Sequence, residues 1–509
     1  LMFWKGFSQP QDGPLPTAEQ AVTVRKPSWR VAAGLCVFLA LYFAFMFWGE
    51  DFAYQDGHAF TDYSAIGVTR PPSVWQSVGR FWPLGYQEYN LIAHLSPTAS
   101  AYLLFAAGQL VVGLWLLYQA MPHLHPTLRL LTFPLLMLGP AIGADFAELT
   151  YADRNVVFAI CVLIFLVHRY ELRPRLSLLL AAIVVTHFAL YFKETSAALF
   201  GGFAIARVVL KGSRAGIRAA FESPLELGIL LSCAYFALLL GATLLPAGTS
   251  SYVNQGSVGR ATATFRYLTG DPLLLAFLVA FSGHVILTLR RRAKFDPLWD
   301  SLAFGAVLHI MAVISTGLAC IYLMGPSELV AALTLVRLVS RWWEERPQVR
   351  PILASVGGAT VALTITFGSF RLIERKNCVW QWEKIASFVV DYYKKSGAQH
   401  TRLYLPANGG VIMNFLSFLR YRGLHFQMAR EPAGAEAIEV AGSDVFPGDV
   451  CVNYEDFVCH QDSARVGDLV VRLGEESWAP MDPGLRRGDE VLGLHEARLL
   501  PLFRALPAA

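Results

Sequence analysis

VAAGLCVFLALYFAFMFWGED occupies residues 31–51. It is uncharged from Val31 to Gly49 and then ends on two acids, Glu50 and Asp51. Spanning the hydrocarbon core of a bilayer takes about 20 mostly apolar residues, so the stretch reads as a transmembrane helix. Ionisable groups at membrane depth are costly and tend to be functional. The run is not a cleavable signal peptide, because residues 1–30 precede it, it exceeds an h-region in length, and no small-residue cleavage site stands before Glu50.

Ten more apolar runs follow, at roughly 98–119, 130–144, 154–168, 176–192, 196–210, 225–245, 272–289, 301–321, 328–340 and 352–370. The expected fold is therefore mainly α, a polytopic membrane helical bundle of about eleven spans. The runs at 130–144, 196–210 and 328–340 are short or carry Arg207 or Arg337, which leaves the count open by one or two. Composition agrees. Of 509 residues, 55% are hydrophobic and only 16% charged, against about 25% charged in soluble domains. The net charge of +4 excludes a disordered or nucleic-acid-binding tail protein, and seven cysteines are too few for a disulfide scaffold.

Lys and Arg in the loops set the orientation. With residues 1–30 placed inside, the inner loops hold 18 basic residues and the outer loops before residue 371 hold 6. This gives a cytoplasmic segment 1–30, a transmembrane domain 31–370 and an extracytoplasmic domain 371–509. In the last, WQWEKIASFVVDYYKKSG (380–397) reads as an amphipathic helix, RLYLP (402–406) as a strand before an Asn-Gly-Gly turn and a helix at 411–421, and DVCVNYEDF (449–457) and DLVVRL (468–473) as further strands. Such alternation indicates a small α/β soluble unit. Cys451 and Cys459 either pair there or stay free thiols, at equal weight.

The outer face collects acids: Glu50, Asp51, Asp56, Asp62 and Glu88 in the first loop, then Asp145, Glu148, Asp153, Glu194, Asp271 and Glu328. For each of these, a solvated loop acid is the competing reading at even odds. It is weaker for Glu50 and Asp51, which follow an apolar run directly. The first outer loop, 49–97, is too long for a connector; VWQSVGRFW (74–82) and GYQEYNLI (85–92) are expected to form short interfacial helices. Lys193 is either an ordinary interface anchor or a cation for a phosphate at headgroup level. His284 and His309 lie within spans and read as buried, hydrogen-bonded histidines. The segment 251–270 is a lid or an ordinary loop, and GGFAIA (201–206) suits close helix packing. There is no Walker motif, dinucleotide fingerprint or Cys/His zinc spacing.

Three local patterns, GRFWPLGYQEYN (79–90), AELTYADRNVVF (147–158) and YFKETSAALF (191–200), together with the acid pair after the first span, make the chain resemble the GT-C superfamily of integral membrane glycosyltransferases. Its members include the protein O-mannosyltransferases and the lipid A aminoarabinose transferases. The resemblance covers about 30–370. Members often carry Pro-Glu where this chain has Ala152-Asp153, which leaves Glu148 and Asp153 both open as the second acid. The resemblance implies an inverting glycosyltransferase of a bacterial inner membrane, working on its periplasmic face. The donor would be a polyprenyl-phosphate sugar and the acceptor a lipid, glycan or protein, with no nucleic-acid partner. It further implies Asp51, with Glu50 as runner-up, as the base, and Lys193, Arg154, Arg80 and Arg260 as candidates to bind the donor phosphate. His58 and Glu194 are substrate-binding candidates, a surface His being the stronger reading of the former. Some members use a divalent cation (Mg or Mn), to which Asp51, Glu148 and Asp153 would be ligands. Two other classes compete: a multi-span transporter or lipid flippase, and an O-antigen ligase or polymerase.

Overall fold

The computed structural model describes residues 28–48, 52, 69, 71–75, 80–149, 151–216, 223–247 and 258–395, and in the tail 403–405, 409–424, 427–428, 449–452, 469–470, 486–487 and 490–491. Glu50, Asp51, His58 and Cys459 lie outside these residues.

All eleven apolar runs contain helix, though 130–144 is interrupted between Met137 and Pro140 and 301–321 leaves its helix after Ser315. In chain order the transmembrane region contains α1 (Trp29–Phe47), the strands β1 (Ser73–Trp75) and β2 (Arg80–Trp82), α2 (Gln87–Leu95), α3 (Ala99–Ala120), α4 (Pro126–Met137), α5 (Pro140–Ala147), α6 (Asp153–Leu172), α7 (Leu176–Phe192), α8 (Ser196–Ala215), α9 (Pro224–Ala247), α10 (Arg260–Gly270), α11 (Pro272–Leu289), α12 (Trp299–Ser315), a 3-10 turn (Ile321–Met324), α13 (Gly325–Glu345) and α14 (Arg350–Lys395). Among the described residues, seven helices are long and apolar enough to cross a membrane, or eight with the bent pair α4–α5 counted as one span. The apolar helices α7 and α12 are shorter. Large apolar side chains point away from the core on these helices, among them Leu41, Leu104, Val184, Leu231, Leu238 and Val279. An apolar exterior of this extent belongs in lipid. The chain is a polytopic helical membrane protein.

One span is broken. α4 and α5 meet at 69°, because Gly139 precedes Pro140, and proline pushes the residue before it out of helical geometry. The orphan amides of the new N-terminus, Ala141 N and Ile142 N, donate to Glu328 Oε2 of α13 at 2.9 and 2.7 Å. Elsewhere small residues let backbones touch. A side chain on Gly202 of α8 would meet the Gly305 Cα of α12 at 2.9 Å, the close packing expected of GGFAIA.

Three expectations are corrected. The described ends of the stretch 74–82 are antiparallel strands and not a helix: Ser73 pairs with Trp82 and Val74 with Phe81. Aromatic and β-branched residues suit the pleat, and the Phe81 amide donates to Glu194 Oε1 at 3.3 Å, which holds β2 in place. Only the second stretch is helical, as α2. The segment 251–270 is no loop at its end, since Arg260–Gly270 is α10. The last span does not stop at 370: α14 continues unbroken to Lys395. At 1.5 Å per residue it measures about 69 Å, roughly twice the hydrocarbon thickness.

The tail contains β3 (Leu403–Leu405), α15 (Gly409–Tyr421), β4 (Gln427–Met428), β5 (Asp449–Val452) and β6 (Leu469–Val470). These strands form a parallel sheet in the order β4-β5-β3-β6, the α/β unit expected. Phe415 of α15 packs its ring on Trp382 of α14, so the sheet's helix is seated on the extension of the last span.

Candidate active site

One end of the helix bundle carries most of the buried ionisable groups among the described residues. Asp153 opens α6 and Lys193 follows α7, and their side chains meet: Lys193 Nζ lies 3.0 Å from Asp153 Oδ2, with the aspartate fully buried. Lys193 also stands over two rings, Trp82 of β2 and Tyr322 of the 3-10 turn, each centroid 5.7 Å away. An ammonium removed from water is stabilised by such faces.

Next to it, Arg154 is fully buried and its Nη2 lies 3.5 Å from Glu88 Oε1. Asn155 Nδ2 donates to the same oxygen at 2.6 Å, and Gln109 Nε2 donates to Asn155 Oδ1 at 2.8 Å. Arg80 binds Glu194 through Nε at 2.8 Å and Nη2 at 3.4 Å. Glu148 caps the end of α5 and pairs with Arg375 of α14 at 3.1 Å. Four cations are thus each held by a carboxylate at one end of the bundle. Asp145 adds a fifth carboxylate. It is fully buried, neither oxygen has a hydrogen-bond partner, and it packs against Gly325 at the N-terminus of α13, where the helix dipole favours an anion.

The structure therefore joins Asp153, Arg154, Lys193, Glu194, Arg80 and Glu148 in one region. Glu194 is engaged by Arg80. Arg260 stands apart on the surface, its Nε donating to the Ser315 carbonyl at 3.2 Å. The acid pair and His58 lie outside the described residues, but their neighbours frame this face. Lys376 of α14 donates to the Met46 carbonyl in the last turn of α1. Phe52 is buried, its ring 5.7 Å from Tyr102 and 5.3 Å from Tyr421 of α15. Tyr102 in turn lies 5.0 Å from Tyr89, the neighbour of Glu88. His309 is a buried, bonded histidine as expected, with Ser327 Oγ at 2.7 Å and Thr195 Oγ1 at 3.3 Å; so is His284, 3.0 Å from Asp300.

Sequence reasoning missed Arg375 and Tyr322. Arg375 sits in RLIERK, just beyond the last apolar run, where the basic residues could have been read as the end of a span. Tyr322 carries no sequence signal. Among the described residues, no group of three His, Cys, Asp or Glu side chains converges to hold a metal ion, and Glu148 and Asp153 are both engaged by cations.

No family profile matches the chain, and no curated protein does. Solved structures similar to it include two crystal structures of ArnT from Cupriavidus metallidurans, one bound to undecaprenyl phosphate and one in the apo state. Both are 13% identical. Their TM-scores are 0.38 and 0.43, with 77% and 76% of this chain covered and 76% and 85% of theirs.

Proposed function

We propose that the chain is an inverting glycosyltransferase that moves a sugar from a polyprenyl-phosphate donor to an acceptor on the extracytoplasmic face of a bacterial cytoplasmic membrane. One observation carries this reading: Lys193, Arg154, Arg80 and Arg375 gather with their carboxylates at one end of the helix bundle. Burying that many charges in a membrane protein is expensive, and a lipid-borne anion is a ligand that would use them.

In the proposed reaction the donor's lipid stays in the bilayer and its phosphate is met by Lys193 and Arg154, with Arg80 beside them. The acceptor hydroxyl or amine attacks the anomeric carbon as a carboxylate takes its proton. That base is Asp51, with Glu50 the alternative. The bond to phosphate breaks, and the developing negative charge is stabilised by the cations. Asp153 orients Lys193, and Glu148 holds Arg375 at the same end of the bundle. A divalent cation, Mg or Mn, is a candidate cofactor that Asp51, Glu148 and Asp153 would hold, and titration with a chelator tests for it. The acceptor, a lipid, glycan or protein, is open to a screen with extracted envelope components.

A transporter built from two related halves would show a broken helix in each, whereas one bent pair occurs among the described residues. The deciding experiment supplies purified protein in vesicles with a polyprenyl-phosphate sugar and follows released lipid phosphate and glycosylated acceptor. Asp51→Asn is expected to lower turnover by about 100-fold or more while the protein stays folded. Full activity in that variant removes Asp51 as the base, and no release by the wild-type protein with any acceptor overturns the whole reading.

A further inference from the structure

The rings and cations of the outer face form a continuous column. Arg80 stands over Trp82 at 4.9 Å, Lys193 over Trp82 and over Tyr322 at 5.7 Å each, Tyr322 is stacked on Tyr151 at 3.8 Å and 12°, and Arg375 stands over Tyr151 at 5.7 Å. Each cation in the column has its own carboxylate: Glu194, Asp153 and Glu148 in turn. The parts come from five separate places, namely β2, the turn after α7, the 3-10 turn before α13, the turn between α5 and α6, and α14.

This arrangement does what an ion pair alone does not. Asp153 fixes the distance of Lys193 Nζ from one side, but a lysine has a flexible four-carbon stem and three rotatable donors. The Trp82 and Tyr322 faces confine it from two more directions, and the lysine side chain is left about a tenth exposed. Tyr322 is in turn held against Tyr151, and Arg375, which also stands over the Tyr151 ring, belongs to the helix that carries the tail.

We propose that Tyr322 and Tyr151 are positioning residues for Lys193, setting its ammonium for the phosphate of the lipid donor and tying that setting to α14. The proposal rests on the reading of Lys193 as a donor-phosphate ligand. The ring face is the working part, so phenylalanine replaces tyrosine and leucine does not.

The test measures binding of a sugar-free polyprenyl monophosphate to the full-length protein in lipid nanodiscs, and donor KM and kcat separately. Tyr322→Leu is expected to weaken binding and raise KM roughly tenfold with kcat little changed, whereas Tyr322→Phe stays within about twofold of wild type. Tyr151→Leu acts one ring further away and weakens binding roughly threefold, with rescue by Tyr151→Phe. It also keeps the test open if Tyr322→Leu does not fold. A merely structural role would lower the folded fraction, and hence apparent kcat, and leave KM alone; that result overturns the proposal. So does wild-type binding by a folded leucine variant while Lys193→Met loses the lipid. If Lys193→Met itself binds like wild type, the phosphate reading fails first and the positioning role falls with it.

Discussion

Lys193 and Asp153 illustrate how a single pair sets the character of the site. Their contact is 3.0 Å, and the aspartate has no exposure to solvent. Removing one partner of a buried pair leaves an uncompensated charge, at a cost of about 3–5 kcal/mol, whereas replacing both with apolar residues is often close to neutral. Lys193→Met is therefore expected to lower the unfolding temperature in detergent markedly. The double variant Lys193→Met with Asp153→Leu is expected to recover most of that stability without recovering lipid-phosphate binding. Recovery of both would show the pair to be structural only. At this scale the sequence was partly legible. YFKETS and TYADRN placed Lys193, Glu194, Asp153 and Arg154 at helix ends, because a charge beside an apolar run marks the end of a span. Which acid meets which cation was not legible, since the partners are far apart in the chain, as with Arg80 and Glu194 or Glu148 and Arg375.

The broken span α4–α5 shows what one side chain does for an element. Glu328 accepts from two amides at the break and is itself buried. Glu328→Ala is expected to cost about 1–3 kcal/mol for each orphaned amide, read as a lower unfolding temperature, while Glu328→Gln retains a carbonyl oxygen and keeps most of the stability. Equal behaviour of the two variants would refute the capping role. The crossing of α8 and α12 makes a second case. A methyl group on Gly305 would run into the Leu199 carbonyl and lie 3.1 Å from Phe203 N. Gly305→Ala should therefore force the helices apart and reduce the yield of monodisperse protein; unchanged yield and thermal stability would contradict this. Apolar length alone marked all eleven runs. It did not show that α14 runs on to Lys395, because a helix ends where its backbone is broken, and residues 369–395 contain neither Gly nor Pro. Nor did it show the β1–β2 hairpin, whose second strand is held by Glu194, a residue more than a hundred positions away.

Among the described residues of the helix bundle, a second group of ion pairs is gathered away from the candidate site. At the end opposite the candidate site, Arg207 binds Glu226 at 2.6 Å and Glu171 at 2.7 Å, Lys211 binds Glu226 at 2.9 Å, and Arg337 binds Asp300 at 3.1 Å. The two arginines that weakened the runs at 196–210 and 328–340 are thus neutralised inside the bundle, which lets those helices sit among apolar neighbours. With the site end outward, as proposed, a membrane-impermeant maleimide applied to intact cells should label the exposed Cys320 and not a cysteine placed at Arg291, each in a background without the other cysteines. The reverse pattern would invert the topology and remove the site from the extracytoplasmic face. The sequence by itself determined the class of molecule and the helical runs, because these follow from local hydrophobicity. Only the tertiary structure decided that the charges are paired, that two tyrosines bridge Arg375 to Lys193, and that the tail is mounted on the last span. Those are contacts between distant segments, and no local pattern encodes which segment a folded chain brings against another.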